Sequence, residues 1–496
     1  MAYILSIDQS TSATKAILFD KQAKVNSRID LAHQQYYPKE TWVEHDPIEI
    51  YNNTVELIGK ITKENNVSTG ELQCISISNQ RETIVVWDKH TGQPIGNAVV
   101  WQCMRGEKKC NQLKQAGLTE EFQNKTGLII DPYFSASGLN WVLNNYFSTN
   151  KDAYYDNILA GTIDSWLIWK LTDGKVHATD FSNACRTLLF NIHTLSWDKE
   201  LCAHFEVPPE ILPEVRQSDQ MYGDTDAEGK LDARVPICGV MGDSHAALFA
   251  QGCYKKGLGK VTYGTGSSVM MNIGDRPLAA PEGLVTSIGY SIESNMAYVF
   301  EGNIHSTGAT IKWLTDELGL MEKSSESEKM ALTVDSTEGV YFVPAFSGLG
   351  APYWDNLSRA CISGIHSGTR KAHIIRAALE AIAFQVKDLL DLMTKKSEAE
   401  LLEIRVDGGP TKNDFLMQFQ SDMLDSKVAV SNVEEASALG AAMAGGIGSG
   451  FWQDLNDLSS LIATQKSFES QMPVAVRKKL YEGWCKAVEK VKSKNN

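Results

Sequence analysis

The sequence has few of the features that mark a secreted, membrane-spanning or nucleic-acid-binding protein. Its nine cysteines (Cys74, Cys103, Cys110, Cys185, Cys202, Cys238, Cys253, Cys361 and Cys485) are odd in number and form no Cys-x-x-Cys pair. Neither a disulfide framework nor a thiolate zinc site is therefore supported, and buried thiols in a cytoplasmic protein are expected. No stretch approaches the ~18 uninterrupted apolar residues of a membrane span. The run from Met1 to Asp8 carries no basic region and Asp8 interrupts its apolar residues, which argues against a secretory signal. Positive charge is in deficit: 47 Lys and Arg stand against 61 Asp and Glu, a net −14. That balance excludes the basic footprint of a nucleic-acid binder. It does not exclude a small anion, which a few backbone N–H groups and one lysine can hold. No GxxxxGK[ST] occurs and no GxGxxG follows a strand, so P-loop and Rossmann readings lose their main support.

What is present suits a soluble α/β enzyme. Hydrophobic residues make up 43% and charged residues 22% of 496, enough for two large domains rather than a disordered chain. Tyr3 to Asp8 reads as a strand, Gln9 to Thr14 as a polar turn, and Lys15 to Asp20 as a returning strand. A related unit recurs as Lys260-Val261-Thr262-Tyr263, the turn Gly264 to Ser268, and Val269 to Asn272. The repeat suggests duplicated halves, 1–249 and 250–496. Further strands are expected at 74–78 and 403–407. Helical apolar spacing begins at Ala372 and continues toward Met393, and Ala436 to Gly450 is an Ala/Gly-rich helix suited to close packing. The tail from Lys490 to Asn496 is polar and expected to fray. Alternating strands and helices predict an α/β fold.

The two turns carry the first chemical hint. A tight turn between strands points successive N–H groups into one concavity that suits phosphate oxygens, although either turn alone is more often a plain hairpin. Thr11 and Ser12 would add hydroxyl donors, Lys15 would neutralise charge, and Asp8 at a strand end could hold Mg²⁺ through water. Asp243, in Gly242-Asp243-Ser244-His245, reads in isolation as a helix N-cap. Arg81–Glu82 alone reads as a surface charge pair, and Trp101 alone as core packing.

Longer motifs change the weighting. Trp42-Val43-Glu44-His45-Asp46-Pro47, Asn79-Gln80-Arg81-Glu82-Thr83, Val100-Trp101-Gln102-Cys103, the run Gly127 to Ser135 and the run Phe190 to Leu195 lie in the first half. Val343 to Trp354, the segment from Ala360 through Gly364 to Glu380, and Val406-Asp407-Gly408-Gly409 lie in the second. In order and over essentially the whole chain, these resemble the sugar and polyol kinases of the FGGY family. The resemblance implies two actin/hexokinase-like domains, each with a ribonuclease-H-like core, closing on a central cleft. The N-terminal domain would hold the acceptor and the first phosphate turn, and the C-terminal domain would hold ATP. It further implies a Mg²⁺-dependent phosphoryl transfer to a small polyol or sugar, and a homo-oligomer, dimer or tetramer.

By the family pattern, Asp243 is the general base and, with Asp8, borders the metal. Thr11, Ser12 and Lys15 belong to the first phosphate turn, and Thr265 and Gly266 to the second. Gly308, Lys312, Gly409 and Asn413 line the adenosine pocket. Arg81, Glu82, Trp101, Tyr133, Asp243, Ser244 and Ser268 surround the acceptor. His245, beside Ala-Ala-Leu, is expected to be structural.

Departures from the pattern bear on the acceptor. Glycerol-phosphorylating members usually carry Gln where Ser244 stands and Phe where Ser268 stands, so a roomier, more polar pocket is expected here. The implied reaction is glycerol phosphorylation, with a four- or five-carbon polyol or ketose as the alternative acceptor. Ser10 in place of Gly and Gly138 in place of Lys are lesser departures. In Gly229-Lys230-Leu231-Asp232-Ala233-Arg234, the loop matching a sugar-bisphosphate regulatory site, Asp232 replaces a glycine and would repel phosphate. Acceptor-independent ATP hydrolysis and a regulatory pseudokinase are weaker readings: no spare segment could bind a peptide, and Asp8, Arg81, Glu82 and Asp243 are retained.

Overall fold

The structure, a computed structural model, describes residues 2–147, 155–433, 435–462 and 464–493. Two twisted sheets dominate it. The first is built from β1 (Tyr3–Gln9), β2 (Ala13–Phe19), β3 (Val25–Ala32), β4 (Leu72–Asn79), β5 (Met221–Thr225) and β6 (Val235–Gly242), in the order β5-β6-β4-β1-β2-β3. The second comprises β7 (Leu258–Tyr263), β8 (Ser267–Gly274), β9 (Val285–Ile292), β10 (Asn295–Ile304), β11 (Glu403–Gly408), β12 (Lys427–Ser431) and β13 (Thr464–Phe468), in the order β9-β10-β8-β7-β11-β12-β13.

The repeated sequence unit has a structural counterpart. β1 and β2 form an antiparallel hairpin while β1, β4 and β6 run parallel; β7 and β8 form the matching hairpin while β7, β11 and β12 run parallel. In each half the polar turn therefore lies at the end of the central strands, where an open α/β sheet places its ligands. The strands read as near-continuous apolar runs because both sheet faces are covered: all seven residues of β1 are buried.

Six helices position the site: α1 (Pro47–Glu64), α2 (Asp243–Ala250), α3 (Gly308–Asp316), α4 (Lys371–Ser397), α5 (Asp414–Leu424) and α6 (Ala436–Gly448). α1 starts where Asp46 accepts the Ile48 N–H and Pro47 sits in the first turn. α4 extends the expected helix by several residues, and the last helix of the chain runs to Val491. Of the polar tail, residues 494–496 lie outside the described residues.

α6 joins the halves. It follows β12 of the second sheet in sequence but packs against α2 and against β1, β4 and β6 of the first sheet. Its small residues make that possible. A Cβ on Gly440 would lie 1.8 Å from the carbonyl oxygen of Ala246 in α2. The Ser6 hydroxyl of β1 donates to the Ala438 carbonyl at 2.8 Å across the same contact. Among the described residues no helix is long and apolar enough to cross a membrane.

Candidate active site

Both phosphate-turn candidates are turns of antiparallel hairpins. In the first, Ser10 N–H donates to the Ala13 carbonyl at 2.9 Å and the Ser10 hydroxyl accepts from the Ala13 N–H. Thr11 is half-buried and Ser12 exposed. In the second, Gly264 N–H donates to the Gly266 carbonyl at 2.7 Å. Gly266 must be glycine: a Cβ there would sit 2.4 Å from the Ile304 carbonyl. The start of α3 closes on this turn, with the Gly308 and Ala309 N–H groups donating to the Gly264 and Thr265 carbonyls at 3.0 and 3.1 Å.

The hairpin register sets the charge at the first turn. Asp8 and Lys15 are direct cross-strand partners, and Lys15 Nζ lies 3.2 Å from Asp8 Oδ2. Ser78, opposite Asp8 on β4, donates to its Oδ1 at 2.9 Å. Burial raises the Asp8 carboxyl above its ordinary range, against the pull of Lys15 and Ser78, and the charge of Asp243 adds to the rise. Lys15 is raised as well: burial works against its charge, but Asp8 and Glu435 outweigh it.

A cleft of about 340 Å³ lies beside the second turn, lined by Gly308, Ile311, Ser327, Leu379, Gly409 and Asn413 among others. A neighbouring opening of about 550 Å³ shares Gly308 and Gly409 and adds Gly264, Thr265 and Lys312. Gly308, Lys312, Gly409 and Asn413, which the resemblance assigns to the adenosine pocket, are thus neighbours of Thr265 along these two openings. Asn413 is also the N-cap of α5, accepting from Leu416 N–H at 2.8 Å. The apolar wall and few polar groups suit a flat heterocycle with a charged tail.

Asp243 opens α2 directly after β6. Arg81 Nε lies 3.3 Å from its Oδ1, which also accepts the Ser244 N–H at 2.6 Å, and the Asp243 side chain remains 34% exposed. Arg81 and Glu82 are not the exposed pair that the sequence alone suggested. Both are buried, and Glu82 has φ 62°, a left-handed backbone uncommon outside glycine. Arg81 forks onto Glu301 with two 3.1 Å bonds. Arg186 donates to Glu82 at 2.7 Å and to Glu301 at 2.9 Å. Burial alone would raise Glu301, yet Arg186 and Arg81 hold it well below the usual carboxylate range. Burial raises Glu82 despite both arginines. His245 is fully buried, its Nδ1 3.5 Å from Arg81, and burial with the Arg81 charge keeps it neutral. It packs behind the site.

Trp101 and Tyr133 meet edge to face at 5.5 Å, and the Trp101 indole N–H donates to the Thr11 hydroxyl at 3.1 Å. This aromatic wall is therefore tied to the first phosphate turn. Ser268 lies on β8 between Thr262 of β7 and Asn303 of β10, and Thr262 pairs in turn with Asp407 of β11. Cross-strand partners share a face, so Asp407, Thr262, Ser268 and Asn303 form one polar row. The next row contains Lys260, Met270 and Glu301, which places Ser268 one step from the carboxylate that grips Arg81. Among the described residues, Ser268 Oγ and Asp407 Oδ1 are buried with no hydrogen-bond partner.

Arg186 and Glu301 were missed in the sequence. Each left a trace: Glu301 is a lone charge after the strand run Ala297 to Phe300, and Arg186 stands alone between Cys185 and Thr187 before Leu188 and Leu189. In the loop from Gly229 to Arg234, Arg234 is already paired with Asp173 and Asp224.

Two matching hairpin turns, a carboxylate at a helix start near the first and a heterocycle-sized pocket beside the second fit a phosphotransferase of the actin/hexokinase-like type. Comparison with known proteins agrees. The family model described as FGGY family of carbohydrate kinases, N-terminal domain, matches residues 3–250, and the corresponding C-terminal domain matches residues 259–449. The chain belongs to the FGGY family of carbohydrate kinases, an ATP-using family. It is 50% identical over 489 residues to glycerol kinase 1 of Thermotoga maritima, covering 99% of each chain. It is 48% identical to the glycerol kinase of Brevibacillus brevis, covering 98% of this chain and 97% of the relative. The crystal structure of Plasmodium falciparum glycerol kinase with ADP superposes with a TM-score of 0.94 at 36% identity, covering 100% of this chain and 99% of that one.

Proposed function

We propose that this protein transfers the γ-phosphoryl group of ATP to a hydroxyl of glycerol, giving glycerol 3-phosphate and ADP. The observation that carries the reading is Asp243, a partly exposed carboxylate anchored by Arg81 and close enough to Asp8 of the first hairpin to raise its pKa. Phosphoryl transfer needs in-line positioning, neutralised phosphates and a proton acceptor for the attacking hydroxyl. Asp243 takes that proton as the acceptor oxygen bonds to phosphorus and the bond to the β-phosphate oxygen breaks. Thr11, Ser12, Lys15, Thr265 and Gly266 hold the phosphates, and Gly308, Lys312, Gly409 and Asn413 hold the adenosine. Arg81 and Glu82, kept rigid by Arg186 and Glu301, present the polar edge for the acceptor's hydroxyls; Trp101 and Tyr133 present the flat face for its carbons.

Among the described residues no group of three or more His, Cys, Asp or Glu could cage a metal ion. Mg²⁺ needs no such cage, because it binds one or two carboxylates together with water and substrate phosphates. Asp8 and Asp243 fit that donor set, and the bound ion would offset charge on the phosphates.

A second acceptor class is favoured by one observation: Ser268 presents an unpaired buried hydroxyl in a polar row beside Glu301. Such a group suits the further hydroxyl of a four- or five-carbon polyol or ketose, because a buried donor left unsatisfied is costly. Initial rates with glycerol, erythritol, xylitol and xylulose at saturating ATP and Mg²⁺ separate the readings. The glycerol reading expects the highest kcat/KM with glycerol. A tenfold or greater preference for a longer acceptor would replace it with the second reading, and no turnover with any of the four would overturn both.

A further inference from the structure

The ammonium of Lys15 has two carboxylate partners, one from each half of the fold. Nζ lies 3.2 Å from Asp8 Oδ2 across the first hairpin and donates at 2.7 Å to Oε2 of Glu435, which immediately precedes α6. The other oxygen of Glu435 accepts from Arg28 of β3. The side chain of Glu435 is only 14% exposed and that of Lys15 23%, so the pair is partly shielded from water. Glu435 holds this place with φ 53°, a left-handed backbone that a glutamate rarely adopts.

A lysine is a compact charge on a flexible stem, so its partners decide where the charge sits. With Asp8 as its sole partner, the ammonium, already 3.2 Å from Oδ2, would be held by that carboxylate alone. Glu435 draws it toward α6, the helix that spans both halves, and Arg28 steadies Glu435 from the outer side.

We propose that Glu435 is a positioning residue: it shares the Lys15 ammonium with Asp8 and draws it toward the α6 side of the first turn, where it stays available to the nucleotide's phosphates instead of being held by Asp8 alone. The proposal rests on the phosphoryl-transfer reading above. It assigns Glu435 no contact with nucleotide or acceptor, so its whole effect passes through Lys15.

Calorimetric titration of the full chain with ADP in the presence of Mg²⁺ tests this directly. Glu435→Gln is expected to weaken ADP binding about tenfold, the scale of one charge-assisted hydrogen bond. Lys15→Gln should weaken it at least as much, and the double variant should bind no worse than Lys15→Gln alone, because interacting sites are non-additive. Arg28→Gln, which touches only the outer oxygen, should stay within about threefold by the same coupling logic. The KM for glycerol should be unchanged in Glu435→Gln while the KM for ATP rises. Wild-type affinity in Glu435→Gln, or additive losses in the double variant, would overturn the proposal. Failure of the wild-type protein to bind ADP would instead overturn the functional reading on which it rests.

Discussion

Arg81, Arg186, Glu82 and Glu301 bring four charges together beside Asp243, all of them buried. Such a set survives burial because each charge is paired and hydrogen-bonded; removing one partner typically costs about 3–5 kcal/mol. Its role is rigidity, since Arg81 can orient Asp243 only while Glu301 fixes its other end. A second buried network supports the first turn. His45 Nε2 donates to Gln35 Oε1 at 2.8 Å, while its Nδ1 accepts from Gln80 at 3.3 Å. The Gln35 and Gln80 side-chain amides in turn donate to the carbonyls of Thr11 and Ser10. Burial, with the neighbouring His33, lowers His45 to about 3. In the folded state it stays neutral where the unfolded chain, near its ordinary value of 6.5, takes up a proton. Its contribution is therefore complete above pH 6.5 and is lost as pH falls toward 3. Urea unfolding of wild type and His45→Gln from pH 7.5 to 4.5 should show the variant less stable at pH 7.5. The gap should narrow below pH 6.5 by up to about 1.4 kcal/mol per pH unit. A gap independent of pH would contradict a buried neutral His45.

At the scale of elements, the sequence was informative where local pattern and tertiary structure coincide. The two hairpins, the strands near residues 74–78 and 403–407 and the long helix from Lys371 all follow from apolar periodicity and turn residues. The candidate base was named by the family resemblance; local pattern alone marked Asp243 only as a helix start, and α2 does begin there. What pattern could not show was pairing at a distance. Arg186 and Glu301 are 115 residues apart, and Lys15 and Glu435 are 420 apart, so only the fold brings them together. The Ala/Gly composition of 436–450 did signal close packing, but not that α6 would cross to the first sheet. Gly440 sets that crossing. Gly440→Val would drive its side chain into the Ala246 carbonyl and part α6 from α2, with an expected loss of about 1–3 kcal/mol or more in urea unfolding. Retained stability together with retained turnover would show that the helices can separate without harm.

For the whole molecule, each of the duplicated sheets carries a candidate phosphate turn at the end of its central strands, and α2 packs against α6, which follows β12 of the second sheet. This helix pair links the two halves and so bears on how the two turns sit relative to one another. The deficit of positive charge is compatible with an anionic ligand, which two turns and Lys15 could meet locally whatever the net charge of −14. The most direct test is the rate of ADP formation from ATP and Mg²⁺, measured with and without glycerol. Turnover is expected only when the acceptor is present, and Asp243→Asn should lower it by about 10²–10⁴-fold, the range for loss of a general base. Equal ADP formation with and without the acceptor, or an Asp243→Asn variant as fast as wild type, would contradict phosphoryl transfer to a hydroxyl activated by Asp243.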